Sequence, residues 1–90
     1  MSMEIPNYVN AGVRKAREKK GKVKLYVDED GTYYLVIGVS LACRDRNKLM
    51  NEIYDEVYKE TQEANMMILV VDEKEIVKIE PIGKEIEIEQ

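Results

Sequence analysis

Through residues 46–65, RNKLMNEIYDEVYKETQEAN, apolar positions recur at Leu49, Met50, Ile53, Tyr54, Val57, Tyr58 and Thr61. Steps of three, four and one make this the stripe of a helix with one buried face. Lys48, Asn51, Glu52, Asp55, Glu56, Lys59 and Glu60 fill the other side. A helix of about five turns with so clear a stripe draws most of its stability from an apolar surface beneath it. Segments of strand character stand on both sides of it to provide one. Residues 7–20, NYVNAGVRKAREKK, read as an earlier helix, with Asn7 as N-cap after Pro6 and Gly21 as the stop. Its stripe is narrow and includes small residues, Tyr8 or Val9, Gly12 or Val13, and Ala16, so this helix is expected to dock closely but weakly.

Period two takes over at residues 22–28, where Val23, Leu25 and Val27 alternate with Lys22, Lys24 and Tyr26. Glu29, Asp30 and Gly31 carry hairpin-turn chemistry, and the chain returns as a strand over 32–43. Gly38, midway along it, predicts a bulge or bend. After the long helix, Asn65 is placed to stop it in the left-handed conformation, and MMILVV at 66–71 reads as a strand buried on both faces. Residues 76–80 alternate before Pro81 and Gly83 interrupt them. KEIEIEQ at 84–90 ends as a strand with Ile86 and Ile88 inward and Glu85, Glu87 and Glu89 outward, a pattern that discourages unwanted pairing at an edge. The predicted fold is one α+β domain over residues 1–90, with two helices packed on a curved antiparallel sheet of about five strands in the order α-β-β-α-β-β-β.

Composition narrows the classes. A chain of 90 residues buries only roughly 60% of its unfolded surface, so a core shared across a homodimer is a natural source of added stability. No run approaches the ~20 apolar residues of a membrane span, and MSMEIPNYVN lacks the basic and apolar regions of a signal peptide. A soluble, cytoplasmic protein is expected. Cys43 is the single cysteine and cannot form an internal disulfide, in keeping with a reducing compartment. Histidine is absent, which removes imidazole metal ligands and general bases. Neither a phosphate-cradling glycine motif nor calcium-loop spacing occurs, so no cofactor, no metal and no enzymatic activity are expected. The chain is 36% charged and rich in Lys, Glu and Ile. That is the balance of a thermostable, hyperthermophile-like protein and equally of an idealised designed one. The Met66-Met67 pair and the lone Cys43 lean against design.

Charge is segregated along the chain. Residues 1–27 hold seven basic and two acidic residues, whereas the remainder holds seven basic and sixteen acidic, for a total of −4. Arg14, Lys15, Arg17, Lys19, Lys20, Lys22 and Lys24 are thus a candidate phosphate-binding set, provided that all seven share one exposed face. The plainer reading is that cations in the last helical turn complement the helix dipole and face acidic groups of the same assembly. The acidic total repels a polyanion elsewhere. Cys43 ahead of Arg44, Asp45 and Arg46 suits an activated thiolate, but without a histidine base the simpler assignment is a buried cysteine, an N-capping Asp45 and surface arginines. Tyr26 and Tyr34, with Val36, Ser40 and Ala42, give one sheet face a mixed aromatic and apolar surface, whose default cover is the first helix.

The order of elements resembles the Roadblock/LC7 family of small, profilin-like dimerisation domains. The likeness rests on the N-terminal helix, the hairpin KVKLYVDEDGTYYLVIG, the amphipathic helix of residues 46–64 and the meander MMILVVDEKEIVKIEPIGKEIEIE, with "VDEDG" and "PIGKE" at the turns. The second strand is longer than the family usually shows. The resemblance implies a dimer in which the long helices pair and the first strand after them joins two sheets. It places Met50, Tyr54, Tyr58, Met66, Ile68 and Val70 near the seam. Family members act as scaffolds or regulators of small GTPases and motors, so a non-enzymatic protein–protein interaction module, binding itself and another protein, is what the resemblance implies. A nucleic-acid-binding protein using residues 14–24, and a designed or otherwise stable domain with no evolved ligand, stay open as alternatives.

Overall fold

The computed structural model describes residues 5–19 and 21–88. Its elements run α1 (Asn7–Glu18), β1 (Lys22–Val27), β2 (Tyr33–Val39), α2 (Cys43–Glu60), β3 (Met66–Asp72), a 3₁₀ turn (Ile76–Lys78) and β4 (Lys84–Ile86). The fold is α+β as expected, but among the described residues the sheet has four strands rather than about five and is mixed, in the order β3-β2-β1-β4.

The hairpin forms as its alternation and turn residues predict, with Lys22 opposite Gly38 and Val27 opposite Tyr33. Asp28 builds the turn: its Oδ1 accepts hydrogen bonds from the backbone N–H of Asp30 at 2.9 Å and of Thr32 at 3.0 Å, and Gly31 follows at φ 84°. The antiparallel run expected after the long helix does not form. A single helix between two strands returns the chain to the end where the first strand began, and the strand that follows, laid beside the first, is parallel to it. β3 therefore lies parallel to β2, from Tyr33 opposite Met66 to Val39 opposite Asp72. β4 crosses to the far side and pairs antiparallel with β1 through Leu25–Ile86, Tyr26–Glu85 and Val27–Lys84.

Both helices cover one face of the sheet. Val9, Val13 and Ala16 of α1 and Leu49, Ile53 and Val57 of α2 are buried against Leu25, Leu35, Ile37, Val39, Met66, Ile68 and Ile86. α2 buries Leu49, Ile53 and Val57 of the predicted stripe but leaves Met50 and Tyr54 half-buried and Tyr58 exposed, and it begins at Cys43 and ends at Glu60, so Thr61 lies beyond it and Asn65 is not its stop. Nor does Asp45 cap it: Ala42 is the N-cap residue and no side chain bonds there. In α1 the N-cap is Pro6 rather than Asn7, with the Val9 and Asn10 amides donating to the Pro6 carbonyl at 3.0 and 3.1 Å.

The second face carries a smaller cluster of Tyr26, Val36 and Ile76, flanked by Tyr34, Val71, Ile79 and Ile82. Its cover is thus the 3₁₀ turn and not α1, which joins α2 on the opposite face. Residues 76–80, expected as a strand, coil because the chain leaves β3 through successive tight turns: Glu75 N–H donates to the Asp72 carbonyl at 2.8 Å and Lys78 N–H to the Glu75 carbonyl at 3.0 Å. Gly38 makes no bulge, since the register with β3 passes through it unbroken and the register with β1 reaches it in step at Lys22. Its use is close approach, because a Cβ there would stand 3.0 Å from Ile76 Cβ. β2 ends at Val39, leaving Ser40 and Ala42 exposed in the link to α2. The predicted final strand is reduced to Lys84–Ile86, and Glu89 and Gln90 lie outside the described residues.

Candidate functional site

The sheet order leaves β3 and β4 as the two edges, and the sequence treats them differently. β4 is three residues long and begins Lys84-Glu85, the short, charged form that resists pairing. β3 has seven residues, of which Met66 to Val71 are all uncharged and apolar, with no proline. The expectation that 66–71 is buried on both faces fails here. Met66 and Ile68 point into the core, Val70 is half-buried, and Met67 and Leu69 are 51% and 39% exposed on the other face.

The ladder to β2 settles which backbone groups look outward. Tyr33 N–H donates to the Asn65 carbonyl and Glu73 N–H to the Val39 carbonyl, each at 3.0 Å, so odd-numbered residues face β2. The N–H and C=O of Met66, Ile68, Val70 and Asp72 are turned to the open edge. One outward donor is occupied: the Ile68 N–H donates to Tyr54 Oη of α2 at 3.1 Å. The Tyr54 ring in turn stacks on Tyr58, with centroids 6.3 Å apart and planes at 22°.

Tyr54 belongs to a ridge of α2 at steps of four, Arg46, Met50, Tyr54 and Tyr58, that runs beside this edge. Two contacts fix its alignment, Tyr54 to Ile68 and Arg46 Nη1 to Asp72 Oδ2 at 3.9 Å. Eight helical residues advance about 12 Å and four strand residues about 13 Å, so ridge and edge stay in step and Met50 lies level with Val70. Arg46 also donates to the Leu41 carbonyl at 2.8 Å, which holds it at the C-terminal end of β3. A hollow of about 480 Å³ opens there, lined by Arg46, Val70, Asp72, Glu75, Lys78 and Ile79 among others. At the other end Asn65 ties β3 to the hairpin: its Nδ2 donates to the Gly31 carbonyl at 3.2 Å and its Oδ1 accepts from Thr32 Oγ1 at 3.1 Å. Asp28 Oδ2 accepts from the Tyr34 hydroxyl at 2.9 Å beside it. Hydrogen bonds, led by the Thr32 amide, hold the Asp28 carboxyl below its ordinary range, while that carboxylate pushes the Tyr34 hydroxyl up. On the second face, burial first and Glu85 next raise Tyr26.

Of the residues read as a seam, Met50, Tyr54, Tyr58 and Val70 are brought to one edge, while the side chains of Met66 and Ile68 are core. The basic set is not brought together. Arg14, Lys15, Arg17 and Lys19 belong to α1 or its end on the helical side, where Lys15 lies 3.6 Å from Glu18 and Lys19 3.7 Å from Glu52. Arg17 Nε and Nη2 are shielded without an acceptor among the described residues. Lys22 and Lys24 alternate with the core-facing Val23 and Leu25 and so sit on the opposite sheet face. Lys20 lies outside the described residues. Cys43, whose surroundings in the sequence suit a buried cysteine, is exposed in the first turn of α2. Among the described residues no cluster of His, Cys, Asp or Glu could hold a metal ion, and no helix is long and apolar enough to cross a membrane. The Tyr54 cap on Ile68 escaped the sequence reading, although the four-residue spacing of the ridge is written there. Comparison with protein-family models, curated proteins and solved structures finds no match to this chain.

Proposed function

We propose that this protein is a non-enzymatic interaction module that forms a homodimer through the open edge of β3 and the adjoining ridge of α2. One observation carries the reading: a seven-residue edge strand with six consecutive uncharged apolar residues has none of the lysines, prolines or bulges that keep edges apart. A two-fold axis pairs such a strand with its own copy in antiparallel fashion, and the two sheets become one. Apolar Met67 and Leu69 extend the contact on one side and Met50, Tyr54 and Tyr58 on the other. The resemblance to Roadblock/LC7 domains points to the same strand and helix, and to a further protein as the dimer's partner.

Light scattering at low and high salt tests this. The expected result is a salt-resistant species of twice the 10.5 kDa chain mass, because an apolar seam is not screened. Val70→Pro removes an amide that β2 does not use and should yield a folded monomer. Leu69→Lys, which puts a charge on the exposed apolar edge, should do the same. A monomeric wild type at high micromolar concentration would overturn the reading.

A further inference from the structure

From Ile68 to Asp72 the edge turns outward the N–H and C=O of Ile68, Val70 and Asp72. Two of these six groups are already satisfied within the chain. The Ile68 N–H donates to Tyr54 Oη at 3.1 Å, and the Asp72 carbonyl accepts the Glu75 N–H at 2.8 Å. Without a partner among the described residues are the Ile68 carbonyl, both groups of Val70 and the Asp72 N–H, a balanced set of two donors and two acceptors.

We propose that this pattern fixes the register of the dimer, with the two-fold axis passing between Val70 and Val70 of the second copy; the inference rests on the dimer reading above. In that register the two Val70 residues exchange both their hydrogen bonds, and each Asp72 N–H donates to the Ile68 carbonyl of the other copy. The groups that would face each other in the flanking pairs are the Ile68 N–H and the Asp72 carbonyl, the two that need no partner. Neighbouring registers waste this match. Centred on Leu69, the ladder asks the Ile68 N–H to leave Tyr54 for the Val70 carbonyl of the other copy. Centred on Val71, it sets the Ile68 carbonyl against the Lys74 N–H, which is held by Asp72 Oδ1 at 3.0 Å. Centred on Asp72, it places two carboxylates directly opposite, a repulsive pair.

Charge and shape along the helix ridge agree with the same axis. Met50 is level with Val70, so the ridge meets its reversed copy with Met50 beside Met50 and Arg46 beside the Tyr54 ring of the other protomer, a cation facing an aromatic face. Each Asp72 keeps its own Arg46. Tyr54 is therefore a positioning residue for the assembly: its hydroxyl closes one rung of the edge and so excludes the Leu69-centred ladder.

Disulfide trapping reads the register directly. In a Cys43→Ser background, which removes the only native thiol, single cysteines at Leu69, Val70 and Val71 are oxidised and run on non-reducing gels. Residues opposite each other on the axis have Cα atoms about 4.5–5.5 Å apart, within disulfide reach, whereas off-axis copies do not meet. Val70→Cys should cross-link on the order of tenfold faster than the other two. Adding Tyr54→Phe frees the Ile68 amide and should raise the Leu69→Cys product. Preferential trapping at position 69 or 71, with the wild type dimeric by light scattering, overturns the register and leaves the dimer standing. An unchanged Val70 preference in Tyr54→Phe overturns the role of Tyr54. A monomeric wild type overturns the dimer reading, and the register with it.

Discussion

Truncating Ile76 to alanine should unlock the second face of the sheet. Ile76 is 1% exposed, sits with Tyr26 and Val36, and places its Cβ, Cγ2 and Cδ1 directly over Gly38. Three carbons are lost, and at about 0.8 kcal/mol each their transfer term alone is about 2.4 kcal/mol. The gap they leave adds to this where the surroundings cannot collapse, and such truncations span about 2–5 kcal/mol. Here the cover is a single 3₁₀ turn that can settle inward, so the expected loss is about 2.5–3 kcal/mol. A domain of this length has roughly 5–13 kcal/mol in all, and the melting temperature should fall by roughly 10–20 °C. Urea unfolding followed by far-UV circular dichroism is the assay, since the chain has no tryptophan. Val77→Ala is the control: Val77 is 69% exposed and should change stability by no more than about 0.5 kcal/mol. Gly38→Ala should cost less in the Ile76→Ala background than alone, because the Cγ2 and Cδ1 atoms it meets at 3.1 and 3.2 Å are gone. A loss below about 1 kcal/mol for Ile76→Ala, or equal losses at positions 76 and 77, would refute a turn that plugs the sheet.

Two further outcomes follow from the hairpin and its neighbour. The Asp28 carboxyl is depressed by the Thr32 amide first, against an opposing push from burial, and then by Tyr34, Asp30 and Gly31. Its stabilisation is therefore present above the ordinary value near 3.9 and is lost as pH falls through the folded value. The stability gap between wild type and Asp28→Asn should accordingly close in acid, and a gap that is constant from pH 7 to pH 2 in urea midpoints would contradict this. Tyr34 is raised, so its share is intact below about 10 and fades as pH climbs towards the folded value. Gly83 leads into β4 at φ 76°, where a Cβ would collide with the Val27 carbonyl oxygen. Gly83→Ala should cost more than the about 1–2 kcal/mol of a left-handed residue alone and expose the β1 amides to hydrogen exchange; unchanged protection there would argue against the β1–β4 pairing.

Local periodicity carried a good part of the fold. α1, α2 and the hairpin each repeat their pattern over enough residues that neighbours in the sequence alone define the buried side, as Leu49, Ile53 and Val57 do. The run at 66–71 was legible as a strand but not as an edge, because an unbroken apolar run has no period to say whether one face or two are covered. Ile76, Ile79 and Ile82 fit an alternating strand only in part. Only Ile76 lies in the 3₁₀ turn, with Ile79 and Ile82 in the chain that follows, and all three meet the same cluster. The ridge at Arg46, Met50, Tyr54 and Tyr58 is likewise written in steps of four, but its hydrogen bond to Ile68 spans fourteen residues and forms where β3 has no outer neighbour among the described residues.

The sequence by itself determined that α1 and α2 are helical and that the hairpin and residues 66–71 are extended, which side of α2 is apolar, and that residues 14–24 are net positive while the rest is net acidic, because each is a property of residues close along the chain. Only the tertiary structure decided that β3 runs parallel to β2 at an open edge, that β4 crosses to β1, that Ile76 and not α1 closes the second face, and that Lys22 and Lys24 part company from α1. Those outcomes depend on which surfaces remain uncovered once α1 and α2 have taken the same face of the sheet. That is a competition among distant segments, and no local spacing encodes it.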